Sequence, residues 1–270
     1  MSGDSLRAPL SARALRGAVT DPGTPWRTLD IVAETGSTNA DLLARAAAGE
    51  DIDGAVLIAE HQTAGRGRAG RTWWTAPRAQ IAMSVGVAGD AVKPDAWGWL
   101  PLAAGVAVVD TMAAMTDVEI GLKWPNDVLA GGGKLAGILA EVAAPKPVIV
   151  LGIGLNVTLR ADEVGDPGVT SLMDLGVAAP DRDRVVRRLL LELGARVERW
   201  RAAGGADSGL VADYRARSLT VGSDVRVLLP GDREVIGTAR TIDEQGRLVI
   251  DAGETVTLSA GDVVHLHPMR

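Results

Sequence analysis

The sequence predicts a mixed α/β domain followed by a small all-β domain. Strand-like apolar runs alternate with helical segments over residues 26–218, a pattern typical of an α/β domain. Short β-rich runs separated by turn residues fill residues 219–270 and favour a small barrel. The 270 residues, 47% hydrophobic and 23% charged, have the length and composition of a globular domain with a small appendage.

The elements of the larger domain follow from caps, periodicity and turns. Residues 1–25 are predicted to form an arm with at most one short helix, ending in a turn-rich stretch. Capping residues at 37–39 and the later Gly49 bracket a helix over residues 40–48. The other predicted elements are strands at residues 55–60, 79–87, 135–142 and 148–157, and helices at residues 95–115 and 181–203.

The second domain is predicted to consist of strands alone. Turn residues rich in glycine and aspartate separate the first four runs at a spacing expected of a small barrel. The predicted strands cover residues 224–229, 234–242, 247–250, 255–258 and 263–266.

Composition excludes several classes of function. No run of about 18 uncharged apolar residues is present, and Arg7, Arg13 and Arg16 interrupt the N-terminal stretch. We therefore expect neither a signal peptide nor a membrane span. A cytoplasmic protein is the resulting expectation. Cysteine is absent, which rules out disulfides, thiolate metal sites and a cysteine nucleophile. The net charge of −6 argues against attraction of the whole surface to nucleic acid, so any anion site must be local.

Residues 61–71 are the first candidate for such a local site. Their glycines let backbone amides approach an anion, and Arg66, Arg68 and Arg71 supply fixed charges with forked donors. A solvated basic loop and a nucleic-acid-binding loop are alternatives. The spacing of the glycines formally matches a dinucleotide fingerprint, but the residues that follow, 72–77, make a poor helix start, which argues against it.

The predicted strand at 148–157 has one bare face. Alternation places apolar side chains on one face and Gly152, Gly154 and Asn156 on the other. Two successive glycines on one face indicate that a ligand or another backbone approaches closely there. A tight contact between a helix and this strand is the alternative.

Two further segments carry candidate site residues. A tight turn at 125–127 precedes a glycine-rich bend that brings Lys134 to the start of a strand, where its side chain can reach an anion. This segment is not a P-loop, because Leu135 stands where Ser or Thr is required. Lys134 is one of only four lysines against 24 arginines, although a plain surface lysine is the alternative. At 34–39, hydroxyls and an amide gather at a helix N-terminus, where capping explains one of them and the binding of small polar groups is also possible.

Taken together and in this order, the four segments resemble the biotin protein ligases. The motifs are Gly-Ser-Thr-Asn, Gln-Thr-Ala-Gly-Arg-Gly-Arg-x-Gly-Arg, Lys-Trp-Pro-Asn-Asp with Lys-Leu-Ala-Gly-Ile-Leu, and Gly-Ile-Gly-Leu-Asn-Val. The resemblance implies a mixed sheet flanked by helices, as in class II aminoacyl-tRNA synthetases, and an SH3-like C-terminal barrel. Bifunctional members add an N-terminal winged helix, in whose place this chain has residues 1–25, so we expect a ligase that does not repress transcription.

Site residues carry over from this resemblance position by position. It places Ser37, Thr38, Asn39 and Gln62 around the ureido head of biotin. Lys134 and Arg68 are the expected catalytic residues, beside the reacting carboxylate and phosphate, and no residue is expected to form a dedicated metal site. The remaining expected contacts to biotin or the adenylate are Gly65, Arg66, Gly67, Arg71, Trp73, Asn126, Asp127, Gly152, Gly154 and Asn156.

The implied activity is the ATP-dependent activation of biotin to biotinyl-5'-AMP, with magnesium accompanying ATP. The implied acceptor is a lysine in the biotin carboxyl carrier domain of acetyl- or propionyl-CoA carboxylase, and neither DNA nor a membrane is an expected partner. The candidate cations of the sequence agree with this activity. Bringing the biotin carboxylate to the polyanionic ATP requires positive groups that offset the repulsion and stabilise the charge that develops on the phosphate. A non-catalytic nucleic-acid-binding module and a lipoate ligase are the alternatives.

Overall fold

The computed structural model describes residues 6–19 and 23–266. Parts of the predicted arm, at residues 1–5 and 20–22, and the last four residues of the predicted barrel lie outside the described residues. The fold class predicted from sequence is confirmed, since a mixed sheet flanked by helices precedes a small antiparallel β-sheet.

The first sheet has seven strands in the order β1-β2-β3-β7-β6-β5-β4. The pair β1 and β2 is parallel, and the other neighbours are antiparallel. The strands are β1 (Thr28–Val32), β2 (Ala55–Ala59), β3 (Gln80–Ala88), β4 (Ile120–Lys123), β5 (Asp127–Ala130), β6 (Gly133–Val142) and β7 (Val148–Asn156).

Helices cover both faces of this sheet. Helix α2 packs against β2, β3 and β7 around Leu42, Leu57 and Val150, while α3 and α5 pack on the opposite face. The helices are α1 (Ala12–Val19), α2 (Thr38–Ala47), α3 (Trp99–Ala113), α4 (Ala161–Val164), α5 (Arg182–Ala203) and α6 (Ser208–Arg217). Helix α1, in the predicted arm, lies on α5 and β1 with Leu15 fully buried.

The long helix predicted at residues 95–115 is shorter than expected. A 3-10 turn at Pro94–Ala96 precedes α3, which begins only after Gly98. A Cβ at Gly98 would lie 2.3 Å from the Gln245 carbonyl oxygen, so the helix start is shaped by a close approach of the second domain. By length and composition alone, the stretch Pro94–Ala113 could cross a membrane, but it contains Asp95 and Asp110 and most of it is buried inside the domain.

The turn predicted at residues 125–127 lies one residue earlier than expected. The turn closes at Asn126, and Asp127 is the first residue of β5 rather than part of the turn. Strands β4 and β5 have four residues each, too few to show an alternation in the sequence. Their pairing, Lys123 opposite Asp127, forms a hairpin at the edge of the sheet.

The second sheet has five strands in the order β11-β10-β9-β8-β12, all antiparallel. Its strands are β8 (Asp224–Leu229), β9 (Arg233–Ile242), β10 (Leu248–Asp251), β11 (Thr255–Leu258) and β12 (Asp262–His265), each within one residue of prediction at either end. Two buried indoles of the first domain bind the turn between β9 and β10: Trp99 Nε1 donates to the Asp243 carbonyl at 2.9 Å, and Trp124 Nε1 donates to the Gly246 carbonyl at 3.1 Å.

Candidate active site

A cleft of about 330 Å³ lies over the middle strands of the first sheet. Its floor is formed by β6 and β7, and its sides by the start of α2, by residues 65–71, hereafter the arginine loop, and by residues 157–170, hereafter the cleft wall. Every predicted site residue except Gly65 lines the cleft. Gly65 lies beneath it, where its carbonyl accepts a hydrogen bond from the Trp73 backbone N–H at 2.9 Å.

One end of the cleft is a buried polar network. The Thr38 backbone N–H donates to Gln62 Oε1 at 2.8 Å, and Thr38 Oγ1 lies 2.6 Å from Ser84 Oγ. Ser84 Oγ in turn donates to Asn39 Oδ1 at 2.6 Å. Ser37 caps α2, with its side chain accepting from the Ala40 N–H. The network holds these hydroxyl and amide groups in fixed orientations at the cleft surface, as recognition of a small polar ligand requires.

The floor next to this network consists of bare backbone at the predicted glycines. A Cβ at Gly152 would lie 2.3 Å from Asn39 Oδ1, and a Cβ at Gly154 would lie 2.3 Å from the Trp73 indole. The register pairs Gly154 with Gly137 of β6, and a Cβ there would also meet Trp73, at 3.0 Å. Any side chain on this floor would therefore displace the groups that line the cleft.

The crowding at Gly152 leads to the first test. We expect Gly152→Ala to lower the affinity for biotin about tenfold, because overpacking costs about 1–3 kcal/mol. Asn39 cannot yield freely, since its Nδ2 donates to the Glu141 carboxylate at 2.9 Å and its Oδ1 is held by Ser84. Isothermal titration with biotin measures the effect. Gly36→Ala is the matched control, because a Cβ at Gly36 meets nothing within 4 Å, and equal affinities of the two variants would contradict the assignment.

Three of the predicted cations are ion-paired, and two of them pair with carboxylates of the first sheet. Lys134 Nζ lies 2.6 Å from Asp127 Oδ1, and Arg66 Nη2 lies 2.6 Å from Glu141 Oε1. The Lys134 ammonium also lies 5.5 Å from the centroid of the Trp73 ring, within the range of a cation–π interaction. Lys134 is therefore held over the glycine floor rather than extended into solvent.

Arg68 differs from the other cations of the site. It donates to Asn126 Oδ1 at 3.1 Å, and no carboxylate within residues 6–19 and 23–266 pairs with it directly, although the negative charges of Asp262 and Asp127 act on it from nearby. Burial lowers the pKa of Arg68 below its usual value, although a guanidinium stays protonated. A partly buried cation without a carboxylate partner favours the binding of an anion. Arg71, by contrast, pairs with Asp262 of β12 at 2.8 Å and joins the arginine loop to the second sheet.

Like Asn39, the other two asparagines of the site are hydrogen-bonded to protein groups. Asn156 Nδ2 donates to the carbonyls of Lys134 and Thr170, at 3.1 and 3.0 Å, and Asn156 Oδ1 accepts from Gln80 at 2.8 Å. Asn126 Nδ2 likewise donates to the Ile138 carbonyl, at 3.2 Å. These amides fix the backbone beside Lys134 and the orientation of Arg68.

Some lining residues were missed by sequence reasoning. Gln80 and Met83 of β3 could have been found, because β3 pairs directly with β7, but the pairing itself was not predicted. The cleft wall carries no motif, and its lining residues Leu159, Val164 and Val169 follow no regular spacing.

Trp73 Nε1 and Gln80 Oε1 are buried without a hydrogen-bond partner among the described residues. Such unpaired buried atoms indicate that polar groups of a ligand bind to them in the cleft.

A dedicated metal site is not evident. Within the described part of the chain, no three His, Cys, Asp or Glu side chains are grouped so that they could hold a metal ion.

Comparison with known proteins gives consistent matches. The Biotin/lipoate A/B protein ligase family matches residues 36–157, and the Biotin protein ligase C terminal domain matches residues 220–266. A biotin--[acetyl-CoA-carboxylase] ligase of Mycobacterium tuberculosis is 64% identical over 97% of this chain and 98% of that protein. The bifunctional ligase/repressor BirA of Escherichia coli is 32% identical over 80% of this chain and 66% of that protein.

The fold comparison agrees with the sequence matches. The biotin protein ligase from Aquifex aeolicus, solved in complex with biotin and ATP, matches with a TM-score of 0.75 at 24% identity, over 88% of this chain and 98% of that chain. A likeness at this identity shows the fold.

Proposed function

The chain belongs to the biotin protein ligase family, and from this premise we propose how its cleft joins biotin to ATP and then to a lysine of a carrier protein. The resemblance predicted from the motifs is thereby confirmed. The observation that carries the proposal is Arg68, a partly buried guanidinium that forms no direct ion pair with a carboxylate of the described residues, in the same cleft as Lys134 and the buried polar network.

In the first half-reaction, a carboxylate oxygen of biotin attacks the α-phosphorus of ATP and pyrophosphate leaves. The carboxylate is itself the nucleophile, so the protein has to position two anions and stabilise the charge that develops between them. We assign this role to Lys134 and Arg68. The polar network of Ser37, Thr38, Asn39 and Gln62 is assigned to the ureido head of biotin, whose N–H and C=O groups need fixed donors and acceptors.

In the second half-reaction, the neutral amine of the acceptor lysine attacks the carbonyl carbon of the mixed anhydride. The bond to the phosphate oxygen breaks, AMP leaves, and the amine loses a proton as the amide forms. Water competes for the same carbonyl. We assign the exclusion of water to the arginine loop. Enzymes commonly close such loops over a reactive intermediate and thereby protect it from hydrolysis.

Magnesium enters this scheme with ATP. The ion prefers several oxygen ligands and is commonly bound through phosphates with one or two carboxylates, so a dedicated protein cage is not required. Asp127, beside Lys134, is the carboxylate of this chain that we assign to the neighbourhood of the ion.

For the acceptor, we propose the biotin carboxyl carrier domain of acetyl- or propionyl-CoA carboxylase, supported by the name of the 64% identical relative. We propose the cytoplasm as the compartment, because the one helix of the described residues that is apolar enough to span a membrane is mostly buried inside the domain. The net charge of −6 supports a ligase that does not bind DNA or act as a repressor.

The deciding experiment is pyrophosphate exchange into ATP, followed by transfer to a purified carrier domain. Exchange that requires biotin, and is not supported by lipoate, is the expected result. Exchange with lipoate alone would favour a lipoate ligase. Absence of exchange, together with nucleic-acid affinity that falls steeply with salt, would favour a binding module.

Limited proteolysis gives an independent prediction. Arg66 and Arg71 of the arginine loop are exposed, so trypsin can cleave there in the unliganded protein. We expect biotin and ATP together to slow this cleavage several-fold, because ligand contacts raise the cost of opening the loop. Cleavage rates are read by mass spectrometry, with biotin alone as the control. Identical rates with and without both ligands would exclude closure of the loop.

A further inference from the structure

The guanidinium of Arg7 binds the cleft wall from outside the cleft. Its Nη1 and Nη2 donate to the two carboxylate oxygens of Glu163, at 2.9 and 2.7 Å. Its Nε donates to Thr158 Oγ1 at 3.1 Å, and Nη2 also donates to the Thr158 carbonyl at 2.9 Å. A forked, charge-assisted contact of this kind fixes geometry more strictly than a single hydrogen bond.

The arm that carries Arg7 is itself fixed to the domain. The Leu10 N–H donates to Glu60 Oε1 at 2.6 Å, and the buried Arg182 pairs with Glu60 Oε2 at 2.6 Å. Arg182 Nη1 also donates to the Ala8 carbonyl, at 3.1 Å. Arg7 therefore extends from a rigid support and not from a loosely attached segment.

The cleft wall needs such a fastening. Its one helix, α4, has four residues, and a helix of this length has little stability of its own. The far end of the wall is tied to β6, since the Lys134 N–H donates to the Gly168 carbonyl at 2.7 Å and the Thr170 N–H donates to the Lys134 carbonyl at 3.1 Å. At the near end, the N–H groups of Val157 and Thr158 donate to the Ala79 carbonyl, and Arg7 adds the tie that joins Thr158 to Glu163 of α4.

Strand β7 shows which part of the cleft the wall encloses. Gly152 lies beneath the polar network, Gly154 beneath Trp73, and Asn156 is bonded to the Lys134 carbonyl. The wall begins directly beyond Asn156, at the opposite end of the cleft from the polar network. If the polar network binds the head of biotin and Lys134 contacts the reacting carboxylate and phosphate, then the cleft wall encloses the nucleotide.

We propose that Arg7 is a positioning residue for the nucleotide: by holding Thr158 and Glu163, it keeps the cleft wall in the conformation that ATP binds. The proposal rests on the proposed function, because it takes the ligand at this end to be ATP. The proposal predicts that loss of Arg7 affects the binding of ATP and not the binding of biotin. Removing Arg7 weakens the nucleotide site and leaves the biotin network intact.

The test is steady-state pyrophosphate exchange with Arg7→Ala. We expect the KM for ATP to rise about tenfold, equivalent to about 1.4 kcal/mol, while kcat and the Kd for biotin change less than about twofold. Arg160→Ala is the matched control: this arginine precedes α4, its guanidinium is ion-paired with Asp162 of the same segment, and its backbone N–H bond to Glu163 is kept in alanine, so the contacts of Arg7 remain. We expect the control to behave as the parent protein.

Two further variants keep the test decisive if Arg7→Ala folds poorly. Thr158→Val preserves the side-chain shape and removes only the Oγ1 acceptor, and Arg7→Lys preserves the charge without the fork. For both we expect a KM for ATP between those of the parent and Arg7→Ala, with faster amide hydrogen exchange in residues 161–169 in each variant. An unchanged KM for ATP, or equal losses for ATP and biotin, would overturn the proposal. If the parent protein itself shows no biotin-dependent exchange, the proposed function fails instead.

Discussion

Replacing Lys134 with alanine is expected to slow the biotin-dependent pyrophosphate exchange by about a hundredfold to a thousandfold, the usual cost of removing a group that stabilises charge in the transition state. The reason lies in where this ammonium is held. It lies over the glycine floor, between Asp127 at 2.6 Å and the Trp73 ring at 5.5 Å, and it is anchored through the bonds of its own backbone to the cleft wall. In its proposed role, this ammonium would meet the carboxylate and the phosphate from the position in which it is already held.

The comparison of kinetics with binding makes this prediction specific. Biotin affinity, measured by titration, is expected to change less than about threefold, since the polar network does not include Lys134. Lys134→Arg keeps a positive charge but not the compact ammonium, so we expect partial activity. Equal losses in exchange and in biotin affinity would show that Lys134 acts in binding instead.

The second large effect is expected for Arg68→Ala. A charge-assisted hydrogen bond to a buried anion contributes about 1.5–3 kcal/mol, so the adenylate should dissociate about 10- to 150-fold faster. Arg68 forms no direct ion pair with a carboxylate of the described residues, so replacing it breaks no ion pair within the protein. The substitution should therefore mainly weaken the binding of the adenylate. Dissociation of preformed biotinyl-5'-AMP is followed by stopped-flow tryptophan fluorescence.

The control for this variant is an arginine whose ion pair lies away from the cleft. Arg226 pairs with Glu234 on the outer face of the second sheet, at 3.7 Å, and Arg226→Ala should leave the dissociation rate unchanged. An off-rate of Arg68→Ala equal to that of this control would remove Arg68 from the adenylate site.

Sequence reasoning located most of the cleft because its signals are local. Glycines at successive same-face positions of one strand predict a bare floor, and three arginines among glycines predict an anion-binding loop. Both predictions need only neighbours along the chain, and the structure places both segments around one cleft. The helices and strands with clear periodicity were likewise predicted to within a few residues.

What could not be predicted depends on contacts between distant segments. The pairing of Arg66 with Glu141, or of Arg7 with Glu163, leaves no mark on the local sequence, because either charge could face solvent equally well. Strands β4 and β5 are too short for a periodic signal. The cleft wall was missed because it is irregular and takes its shape from groups elsewhere in the chain.

The two indoles that donate to the turn between β9 and β10 have a consequence for how the protein can be divided. Trp99 and Trp124 belong to the first domain, yet the acceptors of their N–H groups, the carbonyls of Asp243 and Gly246, belong to the second. Cutting the chain near residue 219 would remove both acceptors and expose to water the part of the hydrophobic core that the two domains share. We therefore expect the larger domain alone to be less stable than the full chain, so that a truncated enzyme would begin with a stability deficit before any loss of substrate contacts.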